Sequence, residues 1–431
     1  MAVETATAAA IPEQTNRPDV RRQRWLVLAT LFVVMLFLIG STAMTVPIFF
    51  MPLVKQYGWS HARTSLMATV FVLLLGGAAP IAGWLLDRIQ ARVVMGTGAA
   101  MIAVGLLWAS RTHSFWGMLG AWTLMGAGGA ASTVVPCAVV AANWFADNRG
   151  LAIGATLSGS GTGGIILPPM TDYLIRNYSI ATAYFVLAVP IIVIVLPMIL
   201  LLIRTRPAGA VKASVAEEVA NLPGLELRPA LRTAPFWLLG LIQLTSSVGL
   251  AAAFYHTVPY LIHMGYSPAH AALLQGAITA VGVPGNPFIG IIVDRFTARR
   301  VLPFALITMA VSLLLLIGAG RPQGWLLYLV IFVIAFGMTA GITSSVVPVA
   351  TVETLGLRRF GSISGLIGLA ATFGLSCGTV LVGRIFDITS SYSVASEMGA
   401  ASTIVGALAA FLVKPAEGVG AIPKTAMPHG H

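Results

Sequence analysis

Twelve apolar runs, each long enough to cross a bilayer, fill most of this chain. They cover residues 25–50, 61–86, 93–110, 115–142, 150–171, 181–203, 235–260, 268–293, 301–319, 324–350, 361–386 and 392–413. A run of about 18 or more apolar residues reads as a membrane span. Lipid offers no hydrogen-bond partners, so each span must satisfy its own backbone, and a helix does this within one segment. Composition points the same way. Only 9% of residues are charged and 57% are hydrophobic, whereas a soluble domain carries about 25% charged residues.

A second feature divides the runs into two sets. The second run ends in Gly83-Trp-Leu-Leu-Asp87-Arg88-Ile-Gln-Ala-Arg92, and the eighth ends in Gly290-Ile-Ile-Val-Asp294-Arg295-Phe-Thr-Ala-Arg299-Arg300. The same Gly-xxx-Asp-Arg pattern at matching places in two halves implies an internal repeat, and paired repeats of membrane helices build carriers. The expected fold is therefore an all-α membrane protein, with twelve transmembrane helices in two pseudo-symmetric six-helix bundles. Residues 25–203 form the first bundle and 235–413 the second. Residues 204–234, polar and rich in Pro and Gly, form the linker. Residues 1–24 read as a disordered N-terminus and 414–431 as a tail.

Lys and Arg set the orientation. If the N-terminus is cytoplasmic, the inner segments hold nineteen of the 25 basic residues, and the outer side keeps Lys55, Arg63, Arg111, Arg176, Arg321 and Arg384. That asymmetry obeys the positive-inside rule. It predicts a multi-pass protein of the cell (inner) membrane with both termini cytoplasmic. The net charge of +11 is then a matter of topology and contact with anionic lipid, not of nucleic-acid binding. The first run is too long for a signal-peptide core. Cys137 and Cys377 both lie inside apolar runs, and no Cys/His spacing suggests a metal, so neither metal nor other cofactor is expected.

These residues resemble the major facilitator superfamily over about 25–413, and within it the branch of monocarboxylate porters and bacterial oxalate–formate exchangers. The doubled motif carries the first likeness. The second rests on Tyr57-Gly58-Trp59-Ser60, on Trp144-Phe145 through Arg149-Gly150 and Gly154, on His256-Thr-Val-Pro259-Tyr260, and on Gly383-Arg384-Ile-Phe-Asp387. The resemblance implies alternating access, with gating at Gly83, Asp87, Arg88, Arg92, Gly290, Asp294, Arg295, Arg299 and Arg149. It further implies that Asp87 meets the start of the eleventh helix and Asp294 the start of the fifth. Carboxylate carriers of the family place an arginine in the eighth helix. Aligned on Pro287 and Gly290, that position is Asn286 here, which leaves the substrate class open.

The substrate candidates come from polar residues at mid-depth. Ionisable groups there are costly and usually functional, and helices 1 to 6 show none. Asn286 follows Pro284-Gly285 and precedes Pro287, a pattern that frees carbonyls beside an amide. His256 titrates near neutral pH, which suits proton coupling; it is as readily a satisfied polar group. Tyr255, Gln275, Thr45 and Thr133 complete the set, although each suits an interhelical hydrogen bond as well. Arg384 and Asp387, about one turn apart, read first as a local ion pair and only second as a carboxylate clamp. The crowded glycines of helices 5 and 11 read as surfaces for close packing.

The expected activity is secondary transport of a small organic solute, a monocarboxylate or related anion, with protons a candidate coupling ion. Exchange of a neutral metabolite is the alternative. No ATP-binding motif, filter loop or catalytic constellation favours a pump, channel or enzyme, and a sensor lacks an output domain. The expected partners are the solute and membrane lipid, and the expected state is a monomer.

Overall fold

A computed structural model describes residues 18–204, 222–318, 325–389 and 392–416. Within these, the side chains of several residues, Tyr255 and His256 among them, lie outside the description. Among the described residues, twelve helical spans are long and apolar enough to cross a membrane. In chain order, spans 1 to 6 are Arg22–Tyr57, Arg63–Leu86, Ala91–Arg111, Phe115–Trp144, Arg149–Asn177 and Ile180–Leu202. Spans 7 to 12 are Ala234–Phe254, Leu273–Phe296, Ala298–Ile317, Leu327–Leu355, Phe360–Phe386 and Ser393–Phe411.

The repeat read from the motif recurs in the packing. Span 1 lies along span 5 as span 7 lies along span 11. Spans 3 and 4, 3 and 6, and 2 and 4 pack as spans 9 and 10, 9 and 12, and 8 and 10 do. Across the halves, span 5 runs along span 8 and span 2 along span 11. One apolar core fills the first half and continues into the second at the end bearing the Gly-xxx-Asp loops, through Ile289, Val293, Leu302, Val346 and Phe360. A separate core, with Leu261, Phe332 and Phe336, serves the far end of the second half. The halves therefore share a core at the motif end, and the second half has a separate core away from it.

Among the described residues four spans are broken. Span 1 turns at Thr42–Thr45 and resumes at Val46 with Pro47 in its first turn. Span 2 breaks at Ala78 and resumes at Ala79 with Pro80 in its first turn. Span 4 breaks at Thr133, immediately before a further helical stretch, Val134–Trp144, that carries Pro136. Span 10 breaks between Thr339 and Ile342, at Gly341. Proline cannot donate to the preceding turn, and such openings survive in a membrane only inside the protein or beside a cavity. The described end of the linker is docked. Leu225 N–H donates to the Leu355 carbonyl at 2.9 Å and Leu357 N–H to the Pro223 carbonyl at 2.9 Å. Glu226 takes ion pairs from Arg358 at 3.1 Å and Arg359 at 3.0 Å.

Candidate functional site

A helix begins with backbone N–H groups that have no partner within the helix. How each span meets that need separates the two ends of this molecule. Spans 2, 4, 6 and 8 start at the end away from the motif loops, and each starts on a serine. Ser60, Ser114, Ser179 and Ser267 accept from the N–H three residues on, in Arg63, Gly117, Thr182 and His270. These are ordinary local caps.

Spans 5, 9 and 11 start at the motif end, and their caps come from elsewhere. Asp294, at the foot of span 8, accepts from Gly150 N–H at 2.7 Å and Leu151 N–H at 2.8 Å. Asp87, at the foot of span 2, accepts from Gly361 N–H at 3.2 Å, Ser362 N–H at 3.0 Å and the Ser362 hydroxyl at 2.5 Å. Glu353 of span 10 accepts from Ala298 N–H at 2.9 Å and Arg299 N–H at 3.3 Å. A carboxylate suits a helix N-terminus, which carries partial positive charge. The first two caps cross between the halves; the third stays within the second half.

The glycine of each motif explains how its aspartate arrives. Gly83 and Asp87, like Gly290 and Asp294, are one turn apart and share a helix face. A methyl group added at Gly83 would strike the Gly361 carbonyl, and one at Gly361 would strike that of Gly83. Gly150 and Gly290 stand in the same mutual relation. Four glycines thus let two pairs of helices touch backbone to backbone, and the aspartate one turn on reaches the partner's first amides.

Asp87 is only 5% exposed. Burial pushes its carboxyl above the ordinary carboxylate range, against the lowering pull of the Ser362 hydroxyl, the two amides and the nearby Arg359 charge. The motif arginines stand away from the crossing. Arg88 lies over the Trp84 ring at 3.9 Å, Arg92 and Arg295 are exposed, and Arg299 faces Glu353 at 3.8 Å. Arg149 donates through Nε to the Ala142 carbonyl at 3.3 Å, within electrostatic reach of Asp147, Glu353 and Asp294.

The substrate candidates are dispersed. The Thr45 and Thr133 hydroxyls are buried at breaks of spans 1 and 4, but each bonds back into its own helix: Thr45 to Ser41 O at 2.8 Å, Thr133 to Gly129 O at 2.6 Å. Asn286 sits where three spans meet. Its side-chain amide packs against Gly341, at the break in span 10, and its carbonyl against Gly154 of span 5. Both amide atoms of Gln275 are buried without a hydrogen-bond partner among the described residues, as is Gln243 Oε1 on span 7. Tyr255 and His256 fall on span 7's helix, Ala234–His263, with their side chains outside the described residues. Arg384 is exposed, and the side chain of its suggested partner Asp387 is likewise outside the description.

Sequence reasoning passed over Glu353, Glu226 and Ser362. A signal existed for Glu353, a lone acid closing an apolar run. None existed for the linker's Glu226, whose partners lie more than a hundred residues away.

A family profile described as Major Facilitator Superfamily matches residues 31–379 and 265–427. Monocarboxylate transporter 13 of Bos taurus is 25% identical over 363 residues, 83% of this chain and 82% of that protein. Monocarboxylate transporter 12-B of Danio rerio is 22% identical over 418 residues, 90% of this chain and 86% of that protein. Among solved structures, a variant of the E. coli fucose:proton symporter FucP superposes with a TM-score of 0.68 at 16% identity, over 91% of this chain and 100% of that one. FucP in its outward conformation gives a TM-score of 0.70 at 15% identity, with the same coverage.

Proposed function

Because the chain belongs to the Major Facilitator Superfamily, we propose that it is a secondary active transporter moving a small organic solute by alternating access, with short monocarboxylates and related organic anions as the first substrate class. The observation that carries this reading is the pair of exchanged caps. Two halves of like fold are held together at one end by the same Gly-Asp contact used twice. A carrier needs such a removable closure at each face, because it must never open to both sides at once.

The basic residues put the motif end in the cytoplasm, together with both termini. The cell (inner) membrane fits that topology. The described arrangement is then closed inward, and Asp87, Asp294 and the four glycines form the inner gate. Arg149 tunes the field at Asp294, while Arg88, Arg92, Arg295 and Arg299 brace the gate from its flanks.

Asn286 and Gln275 lead the substrate candidates: Gln275 because both its side-chain amide atoms are buried without a hydrogen-bond partner among the described residues, Asn286 because its amide packs at the break in span 10. Amide N–H groups suit a carboxylate, and His256 is the proposed proton site. The relatives named monocarboxylate transporters support the substrate class, and FucP, a fucose:proton symporter of like fold, motivates the test of coupling. The same uncharged amides favour a second reading, a neutral solute or the protonated acid.

Counterflow in proteoliposomes tests both. Labelled short monocarboxylates are expected to enter faster against unlabelled internal substrate and faster again with an inward proton gradient. Absence of trans-stimulation by any small solute overturns the carrier reading. Substrate KM unchanged in both Asn286→Ala and Gln275→Ala removes the proposed site.

A further inference from the structure

A groove of about 620 Å³ opens on the flank of the second half, behind the gate rather than between the halves. Span 8 lines it with Phe288, Ile292 and Phe296, span 9 with Phe304 and span 10 with Ile334 and Met338; Arg300 stands at its motif end. Phe288, Phe296, Phe304 and Ile334 are exposed, so the groove faces the surroundings of the bundle.

Two threonines in the lining present no free donor. Thr308 Oγ1 donates to Phe304 O at 2.9 Å, and Thr339 Oγ1 to Ala335 O at 2.7 Å. The walls below Arg300 are therefore apolar in effect. From Arg300 to Thr308 the helix rises about 12 Å, close to the roughly 15 Å depth of one hydrocarbon leaflet. At the top, Arg299 is engaged by Glu353. Its neighbour Arg300 turns to the groove instead, with no carboxylate in ion-pair range among the described residues.

We propose that this groove is a binding site for one anionic phospholipid, its acyl chain laid between spans 8, 9 and 10 and its phosphate on Arg300. An occupant with a hydrogen-bonding body finds nothing to bond in the walls, and an uncharged lipid leaves the guanidinium unused. Basic pockets between helices at the cytoplasmic face hold anionic headgroups by this chemistry. The proposal rests on the inside-positive orientation given above only for naming the leaflet.

Native mass spectrometry of the detergent-purified protein decides it without any transport measurement, so a failed carrier reading leaves it standing. Phosphatidylglycerol and phosphatidylcholine with matched chains are titrated separately. Phosphatidylglycerol is expected to be retained at least fivefold better. Arg300→Gln is expected to reduce that retention to the phosphatidylcholine level, whereas Arg232→Gln, an exposed arginine elsewhere at the same end, leaves it unchanged. Ala305→Trp, which fills the groove, is expected to abolish retention of both lipids. Equal retention of the two lipids, wild-type retention in Arg300→Gln, equal loss in Arg232→Gln, or a dimer in place of lipid adducts each overturns the proposal. If Ala305→Trp does not stay monodisperse, the Arg300→Gln and Arg232→Gln pair decides alone.

Discussion

At the scale of single residues, Asp87 concentrates the physics of the proposed inner gate. It is buried, accepts three hydrogen bonds, and faces amides of the other half. In Asp87→Asn, one oxygen must serve where two did, and the amide's own N–H groups point at donors. The expected cost is about 2 kcal/mol against the closed state, roughly thirtyfold in the equilibrium. Spin-label distances across the motif end check it: the long-distance population rises while expression and monodispersity stay intact. Acidification has the opposite sign. Burial holds the Asp87 carboxyl above the ordinary carboxylate range; once the gate opens, water reaches it and that elevation is lost. The state with the higher pKa gains as pH falls through the interval between the two values. The same distance measurement is therefore expected to show closing, not opening, as the medium becomes mildly acidic. Asp87 and Asp294 were legible in the sequence because each stands in a motif written twice. Asn286 was legible only as a suspicious neighbour of two prolines. Its partner Gly341 was not, since nothing local links a side-chain amide to a break in a helix fifty-five residues on.

At the scale of elements, glycine at the crossings is a requirement of distance rather than of backbone angle. Gly83→Ala or Gly290→Ala places a methyl group on the opposing carbonyl, so the helices cannot reach capping distance. Both variants are expected to insert normally and to populate the open gate at least tenfold more, read by cysteine accessibility at the motif end. Gly240→Ala, with no atom within 4 Å of the added group, is expected to leave that readout unchanged. Glu353 offers the complementary contrast. It caps span 9 from within its own half, so its contact survives every movement of one half against the other. Glu353→Gln is expected to lower the thermal stability of the protein by about 1 kcal/mol and to shift the conformational equilibrium much less than Asp87→Asn, since only its charge on Arg149 reaches across the halves. Span positions were well marked by hydropathy, because the bilayer sets a minimum length for each helix. The breaks in spans 1, 2, 4 and 10 were not, because Thr42–Thr45, Ala78, Thr133 and Gly341 do not stand out in an apolar run until neighbouring spans surround them. The docked end of the linker was hidden for the same reason: Glu226 reads as a solvated charge until Arg358 and Arg359 are brought beside it.

At the scale of the whole molecule, the two crossing caps belong to one closing equilibrium, so their free energies add if each acts alone. Asp87→Asn with Asp294→Asn is expected to leave almost no closed population, with exchange in counterflow well below that of either single variant. A double variant no worse than the singles means that the caps act as one unit. The pattern of these caps has a further consequence. Each half carries a Gly-Asp edge on its second span and a receiving helix start on its fifth, and each edge meets the other half's start. In the language of assembly this is an isologous, self-complementary interface with a twofold operator. A chain of one half's length would have held both sides of that interface and closed upon a second copy of itself. Joined in one chain, the two halves differ at Asn286, in the groove beside Arg300 and at Glu353, while each still offers the Gly-Asp edge and the helix start by which it meets the other.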